Sequence, residues 1–452
     1  MAQRHRFTLH TAGAMAALAL LAAGPAGAKG VLQTIYQSTA TGDYLIGTHA
    51  NADGTVFVVT SVGPNGSGQI LLLTPQGKTY TPSLIHAFAC DIDGGHPSEA
   101  LVADAAGNVW GMGNGCGGSS GADPQGTLFE LVKPQTGGNW TFKTVKQMPA
   151  SIGELNISGS GYRSVVFDKA GNLYGLATLG CGAEDGCGKV FKVPAAVLDG
   201  TKPKGKVQIL YTFPTTASQP TGMVRDKNGN LFGVEYAGGD TMHLGAVWEV
   251  SPPATKNGAW TGANIHEFCL TQNSGSCDDG EGPTGVPALD RNGDLFGTTE
   301  YDGGSHTGNG TVWTLVPPVS GGDWTFGETH VFRDPQGGQC SATTDYGLYH
   351  PQFNTLLDSK GQILTFMGSG GFFNPCGDFQ STIYGALVSV SPVSGGDTIV
   401  NNQFAVQQHV SGPYVPFSSP SLMGNTVFGT SAEYYDAATD TYSAGVVYKI
   451  TP

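Results

Sequence analysis

Seven copies of one sequence unit run through this chain, and this repetition constrains the fold more than any other feature. The four closest copies contain an Asp-x-x-Gly turn, an apolar segment of the type Asn-Leu-Tyr/Phe-Gly, a glycine-rich stretch and a second apolar segment that starts with Gly-x-Val or Gly-x-Leu, and weaker copies centre on Gly54, Gly361 and Gly424. The clearest copies have their turns at 104–107, 168–171, 226–229 and 290–293. The turn glycines of the seven units lie 53 to 68 residues apart and are Gly54, Gly107, Gly171, Gly229, Gly293, Gly361 and Gly424.

Each unit is predicted to form four short strands, named A to D in chain order. Strand A follows a proline, the Asp-x-x-Gly turn leads into strand B, and Gly-x-Val opens strand C. Apolar and polar residues alternate, and β-branched and aromatic residues are enriched between the turns, which favours strands over helices. Asp accepts backbone hydrogen bonds at the start of such a turn and Gly adopts its left-handed conformation. The turn aspartates are therefore expected to be structural and not metal ligands.

The two ends of the chain predict how the repeats are arranged. The last unit ends at 448–452, directly after its strand C, while residues 31–36 resemble the strand-D segment 207–213. We therefore predict an all-β fold with one domain over 29–452: a seven-bladed β-propeller with four-stranded blades, in which the N-terminal strand completes the last blade. Ring closure removes exposed strand edges. A linear β-solenoid is the alternative architecture.

The repeat also resembles a known family. The pattern Asp-x-x-Gly-Asn-Leu-Tyr-Gly followed by Gly-x-Val-Phe, as at 168–175 and 188–191, looks like the GloVer-type tandem repeat of bacterial choice-of-anchor surface proteins. The resemblance covers nearly all of the chain after residue 28. It implies a secreted, repeat-built β protein whose biochemical role is generally unassigned. Such proteins often carry a C-terminal sorting tail, and none follows Pro452, so covalent anchoring is not expected.

The first 28 residues have the pattern of a secretory signal peptide. Arg4 and Arg6 precede an apolar stretch at 14–23, and residues 26–28 (Ala-Gly-Ala) match a signal-peptidase site. The stretch is shorter than the ~20 residues that span a bilayer, so a cleaved signal is favoured over an uncleaved anchor. We expect a secreted or periplasmic monomer, or one at the extracellular surface, with no transmembrane segment after cleavage.

The charge of the chain limits its partners. The net charge is −14, and removal of residues 1–28 takes away two arginines and no acidic residue. A protein this acidic lacks the positive surface that attracts phosphate backbones, so nucleic acid is excluded as an expected partner.

Eight cysteines in a secreted chain predict disulfides, and the absence of a Cys-x-x-Cys pair argues against zinc. In a propeller, the B–C loops and the D–A connections emerge at the same end, here called the top face. All eight cysteines fall in these segments. The predicted pairs are Cys181–Cys187 and Cys269–Cys277 within loops, and Cys90–Cys116 and Cys340–Cys376 between neighbouring connections.

The same loops carry carboxylate, tyrosine and imidazole side chains, including Glu281 and His350 in D–A connections, whereas many lysines lie on strands C and D. The candidate ligand-binding residues are Glu235, Tyr236, Glu300, Tyr301, Asp302, Glu433 and Tyr434. Paired carboxylates would alternatively act as acid and base in glycoside chemistry, with tyrosines stacking on sugar rings. The candidates for that chemistry are Glu235, Glu300, His243 and His306. A third interpretation is that these side chains are turn residues inherited with the repeat.

No cofactor is predicted, with calcium as the alternative. Asp91 and Asp93, followed by Gly94, resemble the start of a calcium loop, but the bidentate glutamate expected at its end is absent. Asp278 and Asp279 form a second, similar candidate.

The predicted function is therefore binding of a glycan or another extracellular polymer on the acidic top face. The alternatives are a secreted carbohydrate-active hydrolase or lyase that uses top-face carboxylates, and a surface-layer or matrix component without a small ligand.

Overall fold

Seven small antiparallel sheets form a ring, so the predicted seven-bladed β-propeller is confirmed. Each sheet runs from strand A through strands B and C to strand D. The computed structural model describes residues 30–38, 44–114, 126–135, 138–152, 165–177, 188–214, 220–239, 243–255, 258–270, 272–273, 276–301, 310–319, 321–332, 348–370, 386–392, 397–401, 412–416, 418, 420–436 and 441–451.

The strands of blades 1 to 4 are given in the order A to D. Blade 1 has Leu45–Ala50, Val56–Thr60, Gln69–Gln76 and Thr79–Ala87. Blade 2 has Gly95–Pro97 with Val102–Ala103, then Val109–Asn114, Thr127–Val132 and Thr141–Gln147. Blade 3 has Val166–Phe167, Leu173–Ala177, Lys189–Val193 and Gln208–Thr212. Blade 4 has Pro220–Arg225, Leu231–Glu235, Ala246–Ser251 and Thr261–Glu267.

The remaining blades follow the same order. Blade 5 has Glu281–Leu289, Leu295–Tyr301, Thr311–Val316 and Thr325–Val331. Blade 6 has Leu348–Leu357, Ile363–Gly370, Ala386–Val390 and Asp397–Asn401. Blade 7 has Gly412–Pro416 with Ser421–Met423, then Thr426–Asp436, Val446–Thr451 and Val31–Gln37. The other elements are the strands Gln272–Asn273, Ser276–Cys277 and Thr441–Ala444, the helices Cys90–Asp93 and Ala195–Leu198, and the 3-10 turn Ala150–Ile152.

The N-terminal strand completes blade 7, as the chain ends predict. Strand Val31–Gln37 pairs antiparallel with strand Val446–Thr451, with Val31 opposite Thr451 and Gln37 opposite Val446. The buried side chain of Ile35 belongs to a hydrophobic cluster that joins residues of blades 7 and 1. The first and last strands of the propeller are therefore held together by both backbone pairing and apolar packing.

A glycine on strand B faces an aromatic ring on strand C in five of the seven blades. At Gly297, for example, an added Cβ would lie 2.1 Å from Cζ2 of Trp313. The ring occupies the space above the glycine. This explains why the strand-B motif of the repeat ends in Gly and why the strand-C motif, Gly-x-Val-Trp/Phe, carries an aromatic residue. The pairs are Gly111–Phe129, Gly175–Phe191, Gly233–Trp248, Gly297–Trp313 and Gly429–Tyr448.

A second glycine, directly before strand C, packs against a proline in strand A of the next blade. A Cβ at these glycines would lie within 2.6 Å of the proline ring. This close contact between neighbouring blades accounts for two recurring residues of the repeat. The pairs are Gly68–Pro97, Gly188–Pro220, Gly245–Pro283 and Gly310–Pro351.

The Asp-x-x-Gly turns are held by the aspartate side chain, as predicted. Asp168 Oδ1 accepts hydrogen bonds from the backbone N–H groups of Ala170 and Asn172, both at 2.9 Å. Its Oδ2 accepts from Asn172 Nδ2 at 2.7 Å and from the Tyr174 hydroxyl at 3.0 Å. Burial opposes ionisation of Asp168, but these hydrogen bonds together outweigh it and lower the pKa of the carboxyl group.

At two junctions the start of strand A lies beside the B–C loop of the preceding blade. His96 N–H donates to Ser67 O at 2.7 Å, and Gly282 N–H donates to Leu244 O at 2.8 Å. The predicted Cys269–Cys277 disulfide is confirmed in the D–A connection between blades 4 and 5.

Cys90 is also disulfide-bonded. Its predicted partner Cys116 lies outside the described residues, as do both cysteines of the predicted pairs Cys181–Cys187 and Cys340–Cys376. The predicted signal peptide, residues 1–28, lies outside them as well. Within the part of the chain that the structure describes, no helix has the length and apolar character needed to cross a membrane.

Candidate functional site

Two tyrosines and a glutamate meet between blades 4 and 5 at the top face. Tyr236 follows strand B of blade 4, and Glu300 and Tyr301 end strand B of blade 5. The side chains of Tyr236 and Tyr301 hydrogen-bond to each other and to Glu300. Because a carboxylate only accepts and each phenol has a single O–H to donate, two of these three hydrogen bonds form at any one time.

Strand alternation explains why the two tyrosines meet. Phe232 and Val234 of blade 4 pack in one cluster with Leu295 of blade 5. Side chains two residues apart on a strand share a face. Tyr236 therefore continues the side of blade 4 that faces blade 5, and Tyr301 continues the side of blade 5 that faces blade 4.

The A strands of blades 5 and 6 contribute two further groups, which the sequence had placed in D–A connections. Glu281 lies opposite Tyr301 in the sheet of blade 5, and its negative charge reaches Tyr236. The ring of His350, from blade 6, contacts Tyr301 edge to face with a centroid distance of 4.8 Å. We refer to Tyr236, Glu281, Glu300, Tyr301 and His350 as the tyrosine–carboxylate cluster.

A glycine allows the chain to pass close to both tyrosines. Gly282 has a left-handed backbone with φ of 63°, and a Cβ there would lie 3.2 Å from Tyr236 Cε2 and 3.5 Å from Tyr301 Cδ2. Glycine suits this position because it adopts the left-handed backbone conformation without strain and leaves room for the two tyrosine rings.

The cluster keeps its phenol groups protonated. Burial and the negative charge of Glu300 raise the pKa of Tyr236 and of Tyr301 above the usual value. At neutral pH the cluster therefore presents two neutral hydroxyl groups beside carboxylates.

Glu300→Gln is expected to lower the phenol pKa of both Tyr236 and Tyr301, because the substitution removes the charge that disfavours the phenolates. The shift is measured by ¹³C NMR titration of ring-labelled tyrosine, with Tyr301→Phe to assign the signal. Glu249→Gln is the control, since that carboxylate accepts from Ser251 at 2.7 Å instead. Unchanged tyrosine titrations in Glu300→Gln would show that the carboxylate does not act on the phenol groups.

Glu235 lies on the other side of blade 4. Its side chain is 2% exposed and lines a cavity between blades 3 and 4. The strand register explains why Glu235 and Glu300 are placed differently. Glu235 lies opposite Ala246, the first residue of strand C in blade 4. In blade 5 the residue opposite the first residue of strand C, Thr311, is Thr299 and not Glu300. The two Glu-Tyr pairs are therefore offset by one residue and are not equivalent.

The other candidates are dispersed. His243 is exposed and has a left-handed backbone with φ of 56°. Glu433 and Tyr434 lie in strand Thr426–Asp436 of blade 7, where Tyr434 is half-buried and the Glu433 side chain is outside the description. Asp302 and His306 are outside the described residues. The structure thus groups Tyr236, Glu300 and Tyr301, and joins them to Glu281 and His350.

The candidate calcium ligand Asp93 accepts hydrogen bonds from groups of the protein itself. Its Oδ1 accepts from Ala89 N–H at 2.8 Å, and its Oδ2 accepts from His86 at 2.5 Å. Asp91 lies in the same short helix, Cys90–Asp93.

Asp279 repeats this arrangement with Cys269 N–H at 2.9 Å and His266 at 3.0 Å. Sequence reasoning did not identify these two His–Asp pairs. Calcium binding at Asp91 and Asp93 stays a prediction.

One group of described residues has the side-chain spacing of a metal site: Cys269, Cys277 and Glu281. The two sulfur atoms are joined in the disulfide and cannot act as thiolate ligands. The group therefore does not fit a thiolate metal centre.

No family model matches the chain, and no curated protein is similar to it. The GloVer-type resemblance therefore stays a prediction. Solved propellers are similar in shape at low identity. An ancestral GH74 enzyme shares 11% identity at a TM-score of 0.50, over 90% of this chain and 47% of that chain.

A virginiamycin B lyase from Staphylococcus aureus has 11% identity and a TM-score of 0.49, over 94% of this chain and 100% of that chain. A PL25 ulvan lyase has 12% identity and a TM-score of 0.45, over 92% and 95%. At these identities, the similarity to solved structures concerns the fold alone.

Proposed function

We propose that this protein is a secreted glycan-binding propeller and that the tyrosine–carboxylate cluster is its binding site. The observation that carries the proposal is the pair of half-buried tyrosines, Tyr236 and Tyr301, held in place by Glu300. Aromatic rings provide flat apolar surfaces for sugar rings, and fixed carboxylates accept hydrogen bonds from sugar hydroxyl groups. Positioning by neighbouring strands also reduces the ordering cost of binding.

The charge of the site selects among glycans. Glu281 and Glu300 place two carboxylates in the cluster, and the whole chain has a net charge of −14. Sulfated or uronate-rich polymers would be repelled. The proposed ligand is therefore a neutral or amino-substituted extracellular glycan.

The disulfides agree with this location. Cys269–Cys277 and the disulfide-bonded Cys90 are compatible with an extracellular or periplasmic protein, because oxidising compartments preserve such bonds. Secretion itself rests on the signal-peptide pattern of residues 1–28.

The binding site is tested with a glycan array followed by calorimetry on the best oligosaccharide. Tyr236→Ala and Tyr301→Ala are each expected to weaken binding about tenfold or more, because central aromatic residues contribute most at such sites. Tyr80→Ala is the matched control, since Tyr80 lies on outer strand D of blade 1. Wild-type affinity in both cluster variants would contradict the proposal.

A hydrolase or lyase is the second candidate, favoured by the presence of Glu281, Glu300 and the His350 imidazole in one cluster. Paired carboxylates are the usual acid and base of glycoside hydrolysis. A product-release assay on the bound oligosaccharide separates the two functions: the proposed binding protein releases nothing, whereas release that is lost in Glu300→Gln would establish the enzyme.

A further inference from the structure

The basic residues of this acidic chain are concentrated in blades 2 and 3. Residues 126–214 contain ten of the 21 basic residues of the chain but only six of its 35 acidic residues. This segment is therefore positively charged within a protein whose net charge is −14. A local excess of one charge attracts ligands of the opposite charge.

The loop between strands C and D of blade 3 is longer than the same loop in blades 1, 2, 4, 5 and 6. Fourteen residues separate Lys189–Val193 from Gln208–Thr212, whereas two to nine residues separate strands C and D in those blades. The long loop carries three exposed lysines within five residues: Lys202, Lys204 and Lys206.

This loop has a packed, hydrogen-bonded structure. Its helix Ala195–Leu198 buries its last two residues in a cluster with Trp110 of blade 2. Lys202 N–H donates to Ala196 O at 2.6 Å, and Gly205 N–H donates to Lys202 O at 2.8 Å. Because the backbone is held in this way, ordering it costs little when a ligand binds.

Two lysines of blade 2 lie at the same junction. Lys146 Nζ donates to Gly205 O at 3.2 Å, in the middle of the lysine-rich loop. Lys143, on the same strand D, contacts Glu130 at 3.4 Å, and its side chain is 52% exposed. The side chains that we call the basic junction are Lys143, Lys146, Lys202, Lys204 and Lys206.

The carboxylates of this region are fewer than its lysines. The described residues of blades 2 and 3 contain nine lysines and five carboxylates. Glu130 is paired with Lys143. Asp199 accepts hydrogen bonds from the Thr201 N–H group at 2.8 Å and from the Thr201 hydroxyl at 2.7 Å, and these bonds lower the pKa of Asp199. The excess ammonium groups repel one another, and an anionic ligand relieves that repulsion.

We propose that the basic junction binds an anionic polysaccharide, with sulfate or carboxylate groups along its chain. A lysine ammonium group binds such anions as a point charge, without the fixed geometry that an arginine requires. Each exposed ion pair contributes little alone, so a polymer that engages several lysines at once binds more tightly than a single anion. This site goes beyond the proposed glycan binding, because its ligand has the opposite charge preference.

The acidic residues elsewhere in the protein do not prevent this contact. At physiological ionic strength, exposed charges more than about 8 Å apart are largely screened from each other. The tyrosine–carboxylate cluster lies between blades 4 and 5, two junctions away in the ring. The protein can therefore hold a neutral or amino-substituted glycan at one surface and an anionic polysaccharide at the other.

The basic junction fits a polysaccharide better than an anionic membrane. Surfaces that bind membranes combine basic residues with exposed apolar side chains that enter the lipid interface. In this loop the apolar side chains of Val197 and Leu198 are buried. Lys146 is half-buried between the two blades, where a flexible chain reaches it more readily than a flat bilayer does.

The proposal is tested by calorimetry with dextran sulfate and with uncharged dextran, which has the same sugar backbone. Dextran sulfate is expected to bind at least about tenfold more tightly than dextran, with an affinity that falls as NaCl is added. The triple substitution Lys202→Gln, Lys204→Gln and Lys206→Gln is expected to weaken dextran sulfate binding about tenfold or more. Its melting temperature should stay near the wild-type value, because all three side chains are exposed.

A second triple substitution, Lys78→Gln, Arg291→Gln and Lys360→Gln, is the matched control. It changes the net charge by the same amount at exposed residues of blades 1, 5 and 6, and it should keep the affinity for dextran sulfate within about twofold of the wild type. Equal losses in the two triple variants, equal binding of the two dextrans, or binding to phosphatidylglycerol vesicles without binding to dextran sulfate would each overturn the proposal. Binding of a neutral oligosaccharide reports separately on the tyrosine–carboxylate cluster and is expected to be unchanged in both variants.

Discussion

Ile35→Asp is expected to lower the free energy of unfolding by about 4 kcal/mol or more. Ile35 is 7% exposed and packs in the cluster that contains Leu45 and Val56 of blade 1 and Val447 of blade 7. The substitution removes a buried apolar side chain and places a carboxylate in its position. The damage falls on the strand that closes the ring, so the effect reaches every blade.

The measurement is urea unfolding followed by circular dichroism and tryptophan fluorescence. Val31→Asp is the matched control on the same strand, because Val31 is 65% exposed, and it should change the stability by less than about 0.5 kcal/mol. Size-exclusion chromatography of Ile35→Asp should also show association, because a freed strand Val446–Thr451 exposes an unpaired edge. Equal stability of the two variants would show that Val31–Gln37 does not close the ring.

Gly297→Ala is expected to destabilise the protein by about 3 kcal/mol, since the new methyl group would lie 2.1 Å from Cζ2 of the fully buried Trp313. The clash involves a rigid ring that contacts blade 4, where Trp313 packs with Phe232 and Val234. The ring is fully buried, so any displacement would disturb this packing. Thermal and urea unfolding measure the loss.

Two further variants isolate the steric cause. Gly327→Ala, on strand D of the same blade, has nothing within 4 Å and should be nearly neutral. Gly297→Ala combined with Trp313→Leu should be more stable than the sum of the two single effects, because the smaller side chain makes room for the methyl group. Strict additivity would contradict the proposed contact between Gly297 and Trp313.

The fold could be predicted because its determinants recur in the sequence at fixed positions. The turn at 168–171 forms a local hydrogen-bonded unit, and the Gly–aromatic and Gly–Pro contacts follow from residues that most of the repeats carry. The similarity of residues 31–36 to a strand D predicts the closure by Val31–Gln37 because closure repeats an ordinary C–D pairing.

The candidate site was only partly predictable. Alignment of the two Glu-Tyr pairs makes Glu235 and Glu300 appear equivalent. In blade 5, however, one more residue separates the turn glycine from the Glu-Tyr pair, so Thr299 occupies the position of Glu235. A shift of one residue moves a side chain to the opposite face of a strand. Glu235 therefore faces blade 3 and lines the cavity, whereas in blade 5 the extra residue puts Tyr301 on the side that faces blade 4, where it meets Tyr236.

The His–Asp pairs show a signal that pattern analysis can recover. Asp93 and Asp279 each lie four residues before the strand-A proline of the next blade, and each bonds a strand-D histidine that precedes Phe by two residues. Local spacing made these aspartates look like calcium ligands. The path of each D–A connection brings Asp93 back to His86 and Asp279 back to His266.

The most direct test of the proposed function is a crystal structure of the protein with its tightest-binding oligosaccharide. We predict a sugar ring against Tyr236 and Tyr301, with hydroxyl groups donating to Glu281 or Glu300. Oligosaccharide density on another face of the propeller, with the tyrosine–carboxylate cluster untouched, would contradict the proposal.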